Sequence, residues 1–133
     1  MKEKTILVID DDEEFVHLME LRLNSMGFKV IKAESGDDAL MMVSEKLPDL
    51  VILDIFLSDM DGLTILKRMK APIDIETGEP SATKDIPVIV ITGKAPMVEN
   101  MTRIEGAVDF FIKPIDTEKF VKCVTQILKG AQK

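Results

Sequence analysis

The amino-acid sequence predicts an α/β fold: a five-stranded parallel sheet, doubly wound, with helices on both faces. Three observations predict it. Short apolar runs alternate with amphipathic stretches along the whole chain, and strands alternating with helices argue for a parallel sheet covered on both sides. Several apolar runs stop abruptly at a charged residue, with Asp10 after Ile9, Asp54 after Leu53 and Lys113 after Ile112. The chain has 133 residues, 46% of them hydrophobic, which suits one ordinary folded domain with its own core.

Taken in order, residues 5–9 read as a buried strand that ends at Asp10-Asp11-Asp12. A helix is expected from Glu13 to Met26. Its inner face is assigned to Phe15, Leu18, Met19, Leu23 and Met26, and Gly27 stands where a C-cap belongs. A second strand follows over 28–33. Ser35, three residues before Asp38, is an acidic variant of the capping box for a helix over 36–47 with Ala39, Leu40 and Val43 inward, closed by Pro48. Residues 50–53 form a third strand, apolar on both faces, and Gly62 precedes a short helix over 63–69. The 71–85 stretch has Pro72, Gly78, Pro80 and no period, and reads as an extended surface loop with a small hairpin near Thr77-Gly78. It is long for a helix-to-strand connection and too short for a second domain, so residues 1–133 are expected to form one domain. A fourth strand is predicted over 88–91, a helix over 97–105 and a fifth strand over 110–112. Asp116 caps a last helix over 117–128, with Phe120, Val124, Ile127 and Leu128 inward.

Composition narrows the function classes. Asp plus Glu total 24 against 17 Lys plus Arg, a net charge of −7. An acidic surface repels phosphate backbones, so direct nucleic-acid binding is not expected. The one cysteine, Cys123, allows no internal disulfide, and a core or helix position without a thiolate is expected for it. The apolar run after the first four residues is too short for a signal-peptide core or a membrane span, which makes the cytoplasm the expected location with no membrane insertion.

Functional groups of open α/β sheets gather at the carboxyl ends of the strands. Those ends carry Asp10, Asp11 and Asp12, then Asp54, Thr92 and Lys113. Chain order alone does not make them neighbours; a sheet with the first, third, fourth and fifth strands at its centre would. Carboxylates crowded into one pocket repel each other, and an oxygen-loving cation, Mg²⁺ or Mn²⁺, relieves that. Zinc is poorly supported, because the lone His17 lies in the first helix and is expected at its surface. A metal, the Lys113 ammonium and the Thr92 hydroxyl around one carboxylate make a phosphoryl-transfer site, with Asp54 as the nucleophile.

With these pieces in order, the chain resembles a response-regulator receiver domain of two-component signalling. The resemblance is carried by residues 6–12, 50–54, Asp61-Gly62, 86–93 and 106–114. It implies the flavodoxin-like strand order 2-1-3-4-5. It implies Mg²⁺ held directly by Asp11, by Asp54 and by the backbone carbonyl of Phe56, and by Asp10 largely through water. It implies a phosphoryl group received by Asp54 from a histidine kinase or a histidine phosphotransfer protein. Thr92 and Lys113 would contact that group, Thr92 and Phe110 would act as the switch, and Lys113-Pro114 would be cis. The fourth helix, fifth strand and fifth helix would form the face that meets a downstream protein or a second copy of the chain.

The chain departs from the family at several points. Ser58 stands where proline is common, which implies a looser loop, and the switch aromatic is Phe110 rather than tyrosine. Phe56 and Lys94 occupy the positions that tune phosphate loss, which implies slow dephosphorylation. The resemblance implies a protein that catalyses its own phosphoryl transfer and dephosphorylation, with no metabolic reaction expected. A place within a phosphorelay, a phosphorylation-independent binding module and an aspartyl-nucleophile phosphatase all stay open, as does a stand-alone regulator against a piece of a longer one.

Overall fold

The computed structural model describes residues 3–93 and 98–130. Five strands, β1 (Thr5–Ile9), β2 (Lys29–Ala33), β3 (Leu50–Leu53), β4 (Val88–Thr92) and β5 (Asp109–Ile112), alternate with five helices. These are α1 (Glu13–Ser25), α2 (Gly36–Lys46), α3 (Gly62–Lys70), α4 (Glu99–Ile104) and α5 (Thr117–Gly130). The sheet order is β2-β1-β3-β4-β5 and every pairing is parallel. This is the flavodoxin-like, doubly wound order that the sequence led us to expect.

Successive strand residues point to opposite faces, and the apolar interior divides accordingly. Ile6, Val8, Leu50, Ile52, Ile89 and Ile91 pack beneath α1 and α5, against Val16, Met19, Leu23, Phe120, Val124 and Leu128. Leu7, Ile9, Val51, Leu53, Val88 and Val90 face the other way, onto Ala39 and Val43 of α2 and Ile65, Leu66 and Met69 of α3. One assignment is corrected. Leu18 is 55% exposed while Val16 is buried. A helix turns about 100° per residue, so a residue two positions from Val16 lies near the opposite side.

Helices α1, α2, α3 and α5 start where a side chain satisfies a free N–H group, whereas α4 begins behind Val98 with no side-chain cap. Asp12 caps α1 by accepting from Phe15 N, Ser35 caps α2 by accepting from Asp38 N, and Asp61 caps α3 by accepting from Leu63 N. Asp116 Oδ1 accepts from Lys119 N in the first turn of α5. The expected start of the fourth helix at Met97 lies outside the described residues.

Between α3 and β4, residues 71–87 contain no helix or strand. Within them an antiparallel bridge joins Ile73 to Pro80, and Gly78, at φ +74°, turns the chain between the two, as the hairpin reading required. The segment is fastened to its surroundings. Thr83 Oγ1 donates to Met69 O at 2.9 Å, and Lys70 Nζ donates to the carbonyls of Lys84 and Ile86. No helix among the described residues is long and apolar enough to cross a membrane.

Candidate functional site

Strand register builds the site. Ile9 pairs with Leu53, and Asp54 N donates to Ile9 O at 2.9 Å, so Asp10 and Asp54 leave the sheet side by side. Thr92 pairs with Ile112, and Lys113 N donates to Thr92 O at 2.9 Å. The condition left open by chain order is therefore met: β1, β3, β4 and β5 are neighbours, and the predicted residues share one edge.

There Asp10, Asp11 and Asp54 each present a carboxylate oxygen within 4.8 Å of the others. Asp10 is 1% exposed and Asp54 7%. Asp11 is exposed. At that spacing each ionised pair repels by roughly 3 kcal/mol at an effective dielectric of about 20. Among the described residues Lys113 answers two of them: its Nζ stands 2.8 Å from Asp10 Oδ2 and 3.7 Å from Asp54 Oδ2. Three carboxylates outnumber the positive charge that the described residues bring, and they leave a donor set of hard oxygens that suits Mg²⁺ or Mn²⁺. Burial pushes the Asp10 carboxyl above its ordinary range. Lys113 and the Asp12 N–H pull it back, and the charge of Asp54 adds to the rise.

Asp12 stands apart from the cluster. Its side chain is spent on the α1 cap, and its N–H donates to Asp10 Oδ1 at 2.9 Å. Asp54 Oδ1 accepts from Phe56 N at 3.0 Å, and the Phe56 side chain is 43% exposed. Thr92 is fully buried. Phe110 is 8% exposed and turned into the α2–α3 side of the core. The Lys113-Pro114 bond is cis. Lys94 lies outside the described residues. His17 is exposed on α1, and Cys123 donates to Asp109 Oδ2 with its thiol pushed up to about 12 by burial and by that carboxylate, so it is not a thiolate.

The loop after Asp54 is held from both sides. Phe56 and Asp61 form an antiparallel bridge, and Gly62 N donates to Ile55 O at 2.7 Å. A Cβ on Gly62 would run into the Asp54 carbonyl and come within 2.7 Å of Ile55 Cα, so only glycine lets α3 start so close to the acceptor strand. Two contributors escaped the sequence. Asp59 accepts the Gly36 N–H at 2.9 and 3.0 Å and so ties this loop to α2. The Phe15 ring lies under Lys113, 4.2 Å from its Nζ. The aromatic at the start of α1 was the only available signal for the second; nothing local marked the first.

The chain is similar to known proteins. The response regulator PleD of Caulobacter vibrioides is 37% identical over 112 residues, covering 84% of this chain and 23% of PleD. The transcriptional regulatory protein ZraR of Salmonella typhimurium is 32% identical over 124 residues, covering 92% of this chain and 26% of ZraR. The chain spans half or less of the length of such curated relatives. Among solved structures, the signal receiver domain of a DNA binding response regulator from Colwellia psychrerythraea 34H superposes with a TM-score of 0.84 at 29% identity, covering 96% of this chain and 99% of that one. Residues 6–125 match the family model of the response regulator receiver domain, and with the acid cluster, the lysine and the strand order all in place, the chain belongs to that family.

Proposed function

We propose that this chain is a phosphoacceptor switch of a two-component or phosphorelay system, with Asp54 as the acceptor. The supporting observation is the convergence of Asp10, Asp11 and Asp54 within 4.8 Å, with the Lys113 ammonium against Asp10 and Asp54. Asp10, Asp11 and Asp54, with the Phe56 carbonyl, would hold Mg²⁺. When bound, the ion neutralises charge on the transferring phosphoryl group. Asp54 attacks phosphorus of a phosphohistidine on a kinase or phosphotransfer protein. The P–N bond breaks and the imidazole leaves with its electron pair. Thr92 and Lys113 meet the phosphoryl oxygens, because a hydroxyl and an ammonium are fixed donors at that edge.

Phosphorylation adds charge and strong acceptors, and Thr92 and Phe110 carry the change to the α4–β5–α5 face. That face carries exposed apolar residues fit for a protein partner or a second copy: Met101 at 50%, Ile104 at 82%, Val108 at 47% and Ile112 at 42%.

The test is incubation with acetyl phosphate followed by intact mass measurement. One added phosphoryl group is expected in the wild type with Mg²⁺, and none in Asp54→Ala or in EDTA. Uptake by Asp54→Ala, or uptake indifferent to Mg²⁺, refutes the reading. A wild type that takes up nothing points instead to a binding module.

A further inference from the structure

A lysine has a long flexible stem on which its ammonium can leave a site for water. At Lys113 a closed circuit opposes that. Asp10 Oδ1 accepts the Asp12 N–H at 2.9 Å, and Asp12 Oδ1 accepts the Phe15 N–H at 3.2 Å. The Phe15 ring lies 4.2 Å from Lys113 Nζ, and that same Nζ donates to Asp10 Oδ2 at 2.8 Å. The α1 cap thus sets the turn that carries the ring, and the cap is itself anchored on the carboxylate that the lysine binds. The negative face of an aromatic ring attracts an ammonium, more strongly where water is thin. The Lys113 side chain is 18% exposed.

We infer that Phe15 is a positioning residue for phosphoryl transfer: its ring keeps the Lys113 ammonium at the acid cluster, ready for the phosphoryl oxygens. The inference rests on the assignment of Asp54 as acceptor. An aliphatic side chain in the same place fills similar space beside α1 and presents no π face, so packing and cation–π attraction are separable.

The experiment follows phosphoryl uptake from acetyl phosphate with Mg²⁺ by intact mass, as time courses for the wild type, Phe15→Leu, Phe15→Trp, Lys113→Met and the double variant Phe15→Leu/Lys113→Met. Phe15→Leu is expected to react about three- to tenfold more slowly, and Phe15→Trp close to the wild-type rate. In the Lys113→Met background the Leu substitution is expected to cost nothing further, since no ammonium remains for the ring to hold. If Phe15→Leu fails to give a cooperative thermal melt, Phe15→Met takes its place in both backgrounds. An unchanged rate in the aliphatic variant, a Trp variant equally slow, or the same slowing without Lys113 overturns the inference while leaving Asp54 as acceptor. A wild type that takes up no phosphoryl group overturns the acceptor assignment and this inference with it.

Discussion

At the carboxyl edge of the sheet, Asp10 and Asp54 are almost wholly buried and aim their carboxylates at the same space as Asp11. At the amino edge, the 71–87 segment is also rich in acid but settles each charge close to home. Asp74 Oδ1 accepts the N–H groups of Glu76 and Thr77, Glu76 pairs with Arg68 at 3.3 Å, and Glu79 and Asp85 lie in solvent. Both regions are irregular in backbone and negative in charge. They differ in whether the negative charges have somewhere to go. Acid satisfied by its own neighbours or by water shapes a loop, whereas acid gathered from separate strands and pressed together invites a cation and chemistry. The count of carboxylates does not separate the two; their convergence does.

That contrast can be broken in three places. The largest effect is expected at Gly62→Ala, where the added methyl meets the Asp54 carbonyl and the Ile55 backbone. Overpacking against backbone costs about 2–3 kcal/mol, read as a lower urea midpoint at unchanged slope. A loss under about 0.5 kcal/mol means that the acceptor loop is free to move away from α3.

An intermediate, pH-dependent effect is expected at Asp10. Its folded carboxyl is raised above the ordinary value of 3.8, chiefly by burial. The folded state therefore holds the proton more tightly than the unfolded one. The stability this confers is complete below 3.8 and is lost as pH rises through the higher folded value. In EDTA, the unfolding free energy of Asp10→Asn should gain on that of the wild type as pH climbs through this window, and level off above it. A gap that narrows instead means that Lys113 outweighs burial.

The smallest effect belongs to the other edge. Ile75 is 74% exposed, so Ile75→Ser should change stability by less than about 0.5 kcal/mol and leave the rate of phosphoryl uptake alone. A slower rate would tie the segment to the site and erase the contrast.

Much of this is legible in the sequence. The strand positions and the residues at their carboxyl ends follow from apolar runs that stop at charge, because a buried strand admits little else. The caps at Ser35 and Asp116 follow from local spacing. What escaped depends on partners distant in sequence. Asp59 and Gly36 are 23 positions apart, and no periodicity links them. Phe15 looked like one more member of an apolar stripe, and its neighbour over the ring arrives from the far end of the chain. Leu18 was misplaced because apolar spacing alone fits more than one angular choice, and the packing of α1 against the sheet decides between them.

The alternation of strand side chains has a consequence for reactivity as well as for folding. Ile6 and Val8 lie beneath α1 and α5, while Leu7 and Ile9 face α2 and α3. If β1 slid by one residue against β3, all four would change sides, and Asp10, next in line, would point its carboxylate away from Asp54. The oily layers and the acid tip are thus written in the same two-beat rhythm, and a strand that loses step loses both together.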